Sequence, residues 1–478
     1  MRTILCLLSV FCLHAEVKLP ALFSDHMVLQ RRLPTRVWGT ASPGEKIAIQ
    51  LDSLRATATA NAEGKWTAAL PPHEAGGPYE LKVNSIAVHD VLVGEVWLAS
   101  GQSNMVVQLT RANDPEKEIS AANHPRMRFF QTPSKVAEGP IDDVNAKWTI
   151  CTPDVAKSYA AVAYFFARDL MQQYDVPVGI VHSAVGGTPA EAWTAMPALQ
   201  ADPILRVYLD NWKKTLDNYP AAFAKFEERK KEPRKAGQAA LQPPPGPGHR
   251  NTPSGLYNGM IAPLVGYTIR GAIWYQGEGN SRMPGTYQRL FETMIRDWRM
   301  AWGQGDFPFL FVQLANYLHR DDWAELQESQ RRTLGLRNTA MAIITDIGDP
   351  TNIHPTNKQD VGHRLARAAR AVAYGERITY SGPLFQQVTP EGSALRVWFD
   401  QTGGALKTKD GAAPKTFEIA GGDGKFVAAV AKIEQDTVVI SSPDVREPVA
   451  VRYAWGGDPV VNLINAEGLP ASPFKSMR

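Results

Sequence analysis

The stretch WLASGQSNM, residues 97–105, joins an apolar strand pattern to a turn that begins with glycine. Its first residues predict a strand that is buried on both faces. Ser103 follows Gly101 by two residues, at the point where this strand is expected to end. A serine at such a turn is most often a turn residue or a helix cap. Alternatively it is a nucleophile, because ligands of an open parallel sheet bind beyond the carboxyl ends of its strands.

Strand and helix patterns alternate from Val91 to about residue 376. Between Tyr287 and Trp302, apolar residues recur at spacings of three and four, which predicts an amphipathic helix that Gly303 ends. Alternation of this kind predicts an α/β fold with a parallel sheet covered on both faces. The predicted strands are 91–99, 178–181, 268–275, 309–314 and 340–345, and the other predicted helices are 159–174, 323–334 and 361–372.

The segments outside this range have a β pattern. Short apolar alternations separated by glycine and proline predict a small β-sandwich near the N-terminus and a second β domain at the C-terminus. A charged helical stretch at 223–235, followed by PPPGPG at 243–248, predicts a partly flexible insertion at about 215–250. The expected domains are 16–90, 91–376 and 377–478.

Composition narrows the class of function. The 478 residues carry a net charge of +3 from 51 basic and 48 acidic side chains, and the longest basic run is Arg229–Lys231. A nucleic-acid-binding protein would show a stronger basic excess, so we expect no nucleic acid partner. The length allows several domains with large cores.

The first fifteen residues predict a secretory signal peptide at 1–15. One arginine precedes an apolar run that ends near Ala15, and this run is too short to span a membrane. A secreted or periplasmic location follows. Cys12 offers a lipoprotein alternative, which the poor lipobox at Ser9–Phe11 disfavours. Cleavage near Ala15 leaves Cys151 alone, so no internal disulfide and no cysteine-based metal site are expected.

Groups that could take part in catalysis follow four of the predicted strands. They are the Ser103 turn, a double glycine at Gly186–Gly187, an amide and a carboxylate in the loop 276–281, and His354 in the loop after the last strand. Each has an ordinary interpretation as a turn or a surface loop. Together they are the parts of an acyl-transfer site: a nucleophile, oxyanion donors and a base. No metal or organic cofactor is required for that chemistry.

These motifs resemble the SGNH-hydrolase superfamily and, more narrowly, the sialate O-acetylesterase family with its acetylxylan-esterase relatives. The resemblance implies a three-layer α/β/α fold with a parallel sheet, flanked by N-terminal and C-terminal β-sandwich-like domains. It covers nearly the whole mature chain except the proline-rich insertion. The motifs that carry it are GQSNM (101–105), SAVGGTPAEAW (183–193), WYQGEGN (274–280), IHP (353–355), LFSDHMVLQ (22–30) and EGLPASPF (467–474).

The resemblance also implies a role for each motif. Ser103 would be the nucleophile and His354 the general base. The oxyanion donors would be the N–H of Ser103, the N–H of Gly187, with Gly186 the less expected choice, and the side-chain amide of Asn280. The reaction would be hydrolysis of O-acetyl groups from sugars through an acetyl-serine intermediate.

The chain departs from the superfamily pattern at the triad acid. Many members carry an acid three residues before the histidine, and here that residue is Thr351. Asp349 is the preferred acid, while Asp346 and a Ser–His dyad without an acid remain open.

Four further residues are candidates for substrate binding because they lie in the loops around the site: Gln102, Glu278, Trp193 and Arg282. Glu278 is also a candidate for a supporting hydrogen bond near Ser103 or Asn280. Trp193 and Trp274 are equally plausible as packing residues.

The expected substrate is an O-acetylated glycan or sialic acid. An acetylxylan esterase acting on plant hemicellulose is the first alternative, and a carbohydrate-binding protein without turnover is the second. The natural sugar and the oligomeric state are left open by the sequence.

Overall fold

A computed structural model describes residues 16–232, 241–318 and 322–476. The predicted signal peptide at 1–15 and part of the predicted insertion lie outside these residues, so both stay predictions. Within the described part of the chain, no helix is long and apolar enough to cross a bilayer.

The segment before the Ser103 turn is built from short strands with alternating burial, as its sequence predicts. In strand β3, for example, Ile47, Ile49 and Leu51 are buried while Lys46 and Ala48 are exposed. The strands are β1 (Val28–Gln30), β2 (Thr35–Thr40), β3 (Lys46–Leu51), β4 (Leu54–Thr59), β5 (Lys65–Leu70), β6 (Gly76–Val83) and β7 (Ile86–Gly101).

Strand β7 connects this segment to the rest of the fold. It starts as an antiparallel partner of β6 and a parallel partner of β1, and it continues into the central sheet. The predicted strand 91–99 is therefore longer at both ends, with sixteen residues. The predicted boundary between residues 90 and 91 falls inside it.

The middle of the chain alternates helices and strands. They are α1 (Ser103–Val106), α2 (Pro115–Ser120), β8 (His124–Gln131), β9 (Trp148–Cys151), α3 (Pro153–Ala156), α4 (Ala161–Tyr174), β10 (Val178–Ala184), α5 (Met196–Ala201), α6 (Arg206–Lys230), β11 (Gly271–Tyr275), α7 (Pro284–Trp302), β12 (Phe309–Val312), α8 (Trp323–Arg332), β13 (Thr339–Ala342) and α9 (Lys358–Val372). Short 3-10 or π-helical turns lie at 109–111, 190–193, 257–264, 278–280 and 333–335.

The central sheet has the strand order β13-β12-β11-β7-β10-β8-β9. Its strands are parallel except β9, which runs antiparallel to β8 at the edge. The mostly parallel sheet agrees with the sequence prediction, whereas the β8–β9 pair was not predicted. Because β7 lies between β10 and β11, the carboxyl ends of these three strands meet at one edge of the sheet.

Helices cover both faces of this sheet. On one face Phe166 of α4 packs against Trp97 of β7, with ring centroids 5.0 Å apart. On the other face, Phe291 of α7 lies 5.1 Å from Phe311 of β12. Helix α7 ends where Gly303 takes a positive φ of 64°, as the sequence predicts.

The charged helix of the predicted insertion is longer than expected. It begins at Arg206 rather than near residue 223 and runs for 25 residues to Lys230. Its mostly exposed, charged surface gave no apolar repeat from which its start could be predicted.

The C-terminal segment is β structure with its own buried apolar cluster, which includes Val397, Ile419, Ile440, Tyr453 and Phe474. Its sheets have the orders β14-β15-β20-β19, β18-β17-β21-β23 and β16-β22. The strands are β14 (Leu384–Glu391), β15 (Ala394–Asp400), β16 (Leu406–Thr408), β17 (Phe417–Ala420), β18 (Phe426–Ala428), β19 (Val430–Glu434), β20 (Thr437–Ser441), β21 (Ala450–Tyr453), β22 (Leu463–Asn465) and β23 (Phe474–Lys475).

Candidate active site

Ser103 and His354 meet at the carboxyl edge of the central sheet. The Nε2 atom of His354 lies 2.8 Å from the Oγ atom of Ser103, although the two residues are 251 positions apart in the chain. Ser103 is the first residue of α1, which Gln102 alone separates from β7, and His354 lies in the loop before α9. A serine hydroxyl at hydrogen-bond distance from an imidazole is the arrangement of an activated nucleophile and its base.

Gly101 makes this turn possible. It has a φ of +137°, and a Cβ atom there would lie 2.2 Å from the carbonyl oxygen of Tyr275. The next residue, Gln102, donates its N–H to the same carbonyl at 2.9 Å. The glycine thus lets β7 pack against the end of β11 and then turn to expose Ser103.

Gln102 is a structural residue of the turn rather than an open substrate contact. It is buried, and its side-chain oxygen accepts the N–H of Gly279 at 3.0 Å. This bond ties the serine turn to the loop that contains Asn280.

The predicted triad acid does not contact the imidazole. One carboxylate oxygen of Asp349 accepts hydrogen bonds from the N–H and the hydroxyl of Thr351, both at 2.8 Å, and from the N–H of Asn352 at 3.1 Å. The N–H of Thr351 makes the largest contribution to lowering the pKa of Asp349. Asp349 is wrong as the partner of His354 because this carboxylate caps its own loop.

Asp346, the alternative acid, is also engaged elsewhere. Its two carboxylate oxygens accept from the guanidinium of Arg364 at 2.6 and 2.7 Å. Within 16–232, 241–318 and 322–476, no carboxylate forms a hydrogen bond with the His354 ring. In this part of the chain the serine and histidine therefore form a hydrogen-bonded pair without a carboxylate on the ring.

Burial and positive charge both act on the imidazole. Burial is the main cause that lowers the pKa of His354, and the charges of Lys358 and Arg111 lower it further. A lowered pKa keeps the ring neutral, and therefore basic, to a more acidic pH than usual.

Gly186 is the glycine that packs directly against the nucleophile. A Cβ atom at Gly186 would lie 3.4 Å from the Cβ of Ser103. Gly187, the preferred oxyanion donor of the sequence analysis, has a φ of +70°, and a Cβ atom there would lie 3.4 Å from a guanidinium nitrogen of Arg250. The double glycine therefore lies between the serine and this exposed arginine.

Asn280 is buried and held by several partners. Its side-chain oxygen accepts from the N–H of Ala190 at 2.9 Å and from the amide of Gln276 at 2.7 Å. Its amide nitrogen donates to the Glu191 carboxylate at 2.8 Å. The Tyr208 hydroxyl also interacts with the Asn280 side chain.

Glu191 was not predicted as a site residue. Burial raises its pKa to about 7, against the opposing effect of the hydrogen bond from Asn280. Its position in the motif TPAEAW, three residues after Thr188, was the available signal, but no spacing rule connects that glutamate to Asn280.

Trp193 is wrong as a substrate contact. Its side chain is fully buried, and its indole N–H donates to the Thr188 hydroxyl at 3.0 Å. The ring packs edge-on against Trp274, with centroids 6.1 Å apart. Both tryptophans belong to the core beside the site, so the packing interpretation holds. Arg282, in contrast, is exposed in the loop after Asn280.

Glu278 is half-buried and lies next to the nucleophile turn. Its Oε1 atom accepts from the amide of Asn104 at 2.7 Å, and its Oε2 atom is buried without a hydrogen-bond partner. Lys358 donates to the same asparagine from the other side at 2.5 Å. Asn104 and Lys358 were both missed by the sequence analysis, although Asn104 is part of GQSNM and Lys358 follows His354 by four residues.

The described residues contain no group of three or more histidine, cysteine, aspartate or glutamate side chains that could hold a metal ion.

The site lies within a region of the chain that matches a known protein family. Residues 93–222 and 249–371 match the family model described as carbohydrate esterase, sialic acid-specific acetylesterase. The matched ranges contain Ser103, Gly187, Asn280 and His354, and the gap between them falls in the predicted insertion.

Individual relatives are similar over most of their length. Sialate O-acetylesterase from Rattus norvegicus is 31% identical, over 94% of this chain and 92% of the rat protein. The enzyme of that name from Homo sapiens is 30% identical, over 76% and 73%. The crystal structure of a carbohydrate acetylesterase from Xanthomonas citri superposes with a TM-score of 0.84 at 41% identity, covering 97% of this chain and all of that one.

Proposed function

Because this chain belongs to the sialic acid-specific acetylesterase family of carbohydrate esterases, we propose that it removes O-acetyl groups from sugars through an acetyl-serine intermediate. Membership makes it a carboxylic ester hydrolase. The observation that carries the proposed mechanism is the 2.8 Å contact between His354 Nε2 and Ser103 Oγ.

The proposed first step forms the acetyl-enzyme. His354 Nε2 accepts the proton of Ser103 as the serine oxygen attacks the acetyl carbonyl. The imidazolium then gives this proton to the sugar oxygen, so the sugar leaves as an alcohol. In the second step His354 activates a water molecule, and acetate is released.

The tetrahedral intermediate needs hydrogen-bond donors around its oxyanion. The N–H of Ser103 is one, because the first residues of a helix lack intrahelical acceptors for their N–H groups. The double glycine supplies the second: Gly187 remains our choice, and the contact of Gly186 with the serine supports Gly186 as its competitor. The side-chain amide of Asn280 is the proposed third, although Glu191 and Tyr208 also contact it in this structure.

Among the alternatives for orienting the base His354, a Ser–His dyad without a triad acid has the most support. The loop around His354 is held by hydrogen bonds that involve its backbone and not the imidazole ring. The backbone N–H of His354 donates to the side-chain oxygen of Asn352 at 3.0 Å, and the carbonyl oxygen of Ile353 accepts from the Asn104 amide at 3.0 Å. These bonds orient the ring through the backbone, which a triad carboxylate would do through Nδ1.

The fold is proposed to be that of an SGNH hydrolase with β-sandwich-like flanking domains. The order of the chemical groups along the chain supports this: Ser103 follows β7, the glycines follow β10, Asn280 follows β11 and His354 precedes α9. We also infer a secreted or periplasmic location from the leader pattern at 1–15.

For the substrate, an O-acetylated sialic acid is the first candidate, since the family description and the mammalian relatives carry that name. An acetylated hemicellulose such as acetylxylan is the second candidate. It is supported by the 41% identity to a bacterial protein that is named only as a carbohydrate acetylesterase. Exposed Arg282 and Arg250, near Asn280 and Gly187, are the proposed sugar contacts.

The test is acetate release from acetylated sialic acids and acetylated xylo-oligosaccharides by the wild-type enzyme and Ser103→Ala. We expect the variant to lose at least about 10³-fold in kcat. Ser120→Ala is the matched control, because Ser120 is an exposed serine of α2. Equal activity of wild type and Ser103→Ala would overturn the mechanism, and the preferred sugar decides between the substrates.

A further inference from the structure

The buried side chains of Asn104 and Lys358 and the half-buried side chain of Glu278 connect the two catalytic loops. Lys358, the first residue of α9, donates from Nζ to the Oδ1 atom of Asn104 at 2.5 Å. Asn104 donates from Nδ2 to the Oε1 atom of Glu278 at 2.7 Å. The same Nδ2 also donates to the carbonyl oxygen of Ile353 at 3.0 Å.

Asn104 lies where its hydrogen bonds can hold the nucleophile and the base together. Asn104 directly follows Ser103, and Ile353 directly precedes His354. One amide therefore links the residue next to the nucleophile with the residue next to the base. A shift of either loop by an ångström would break the bond to Ile353 and lengthen the Ser103–His354 contact.

Burying the side chain of Lys358 at this position costs free energy. Its relative exposure is 0%, and a buried ammonium needs polar partners to offset its lost hydration. It has the Asn104 oxygen and the face of the Tyr275 ring, 5.3 Å from Nζ. The oppositely charged Glu278 is reached only through Asn104. A lysine kept for structure alone would gain more from a direct carboxylate contact.

We propose that Lys358, Asn104 and Glu278 form a positioning network that holds the serine turn against the histidine loop and keeps a positive charge near the imidazole. This inference rests on the proposed function, because it concerns Ser103 and His354 as the reacting pair. None of the three side chains needs to touch the substrate for this role.

The charged groups around His354 predict how its pKa should respond when Lys358 is replaced. Lys358 at the start of α9 and Arg111 in the turn 109–111 are the cations that act on it. Glu278 stands behind Asn104, while Asp346 and Asp349 are engaged by Arg364 and Thr351. The network thus supplies the orientation that a triad acid gives, but it favours the neutral imidazole where an acid would favour the cation.

The acid limb of activity falls in a range where Lys358 is charged. Burial lowers the pKa of Lys358 to about 7, with Glu278 opposing that change. His354 titrates below its usual value near 6.5, so the ammonium is present while the imidazole gains its proton. Removing the ammonium should therefore let His354 protonate at higher pH.

The experiment is the pH dependence of kcat/KM for 4-nitrophenyl acetate, measured for wild type, Lys358→Met, Lys358→Gln and Lys358→Arg. Met removes the charge and the hydrogen bond, Gln removes the charge and keeps a donor, and Arg keeps both. We expect the acid limb to move up by at least about half a pH unit in Met and Gln and to stay in Arg. We also expect kcat to fall most in Met, with KM little changed.

Lys157→Met is the matched control, since Lys157 is an exposed lysine paired with Asp154. An acid limb that coincides in wild type, Met and Gln would overturn the inference. So would an Arg variant that shifts as far as Gln. If Met fails to fold by circular dichroism, Gln and Arg still decide the question. If all three fail, Lys358 is a folding residue and the inference is wrong. A wild-type enzyme that is inactive on every acetyl ester would instead refute the proposed function.

Discussion

At the scale of single residues, the environment of His354 determines the pH range of the enzyme. Burial and two nearby cations lower its pKa below the usual 6.5. The catalytic form is the neutral ring, so activity is fully present above the pKa and is lost as pH falls through it. We expect the acid limb of kcat/KM for the wild type below about pH 6.5. An acid limb above pH 7 would contradict this assignment.

Replacing the two aspartates near His354 should affect stability to different extents. Asp346→Ala leaves the largely buried guanidinium of Arg364 without its carboxylate, and we expect a loss of about 1–3 kcal/mol in the free energy of unfolding. Asp349→Ala removes only a cap of an exposed loop, so its melting temperature and kcat should remain near wild type. Urea denaturation and acetate release check both. A large loss of kcat in Asp349→Ala alone would restore it as the triad acid.

At the scale of elements, the joint between β7 and α1 depends on Gly101. Alanine there would place its Cβ 2.2 Å from the Tyr275 carbonyl at a φ that side chains rarely adopt. We expect Gly101→Ala to lose more than about 2 kcal/mol in the free energy of unfolding. Gly285→Ala in α7 is the control, because nothing lies within 4 Å of a Cβ there. Equal melting temperatures of the two variants would refute this account of the turn.

The elements differ in how far their sequence could predict them. The central strands and α7 were predictable because buried apolar runs and a repeat of three and four residues fix their type. Strand β9 has four residues, too few to show a period, and β8 begins with polar residues. The motifs predicted that Ser103 and His354 lie together, as they do in the structure. The partners of Asp349, Asp346, Glu191 and Lys358 could not be predicted, since they depend on contacts that sequence spacing does not show.

At the scale of the whole molecule, the N-terminal β segment and the central sheet share one continuous apolar core. A buried ion cluster joins them as well. Glu95 of β7 accepts from Arg31 at 2.5 Å and from Arg270 at 2.9 Å, and its side chain has 0% exposure. The C-terminal segment packs Tyr380 and Leu384 against this core, and polar contacts such as Gln313 to Ser472 at 2.9 Å add to its attachment.

This cluster gives a prediction for global stability. Glu95→Ala leaves two guanidinium groups without their buried partner, and we expect a loss of about 3–5 kcal/mol in the free energy of unfolding. Glu74→Ala is the control, because Glu74 pairs with Arg32 on the surface, where both side chains are more than half exposed. The midpoints of urea denaturation compare them. A Glu95 variant as stable as the Glu74 variant would show that the cluster does not hold the two parts together.

Strand β7 also limits where recombination between related genes could leave the fold intact. A recombination event whose breakpoint falls between the codons for residues 86 and 101 would divide a single strand between two parental genes. Each parent would then have to supply half of one hydrogen-bonded ladder, with the nucleophile at its far end. We therefore expect the leading β segment to pass between genes together with the esterase sequence, and not as an exchangeable module.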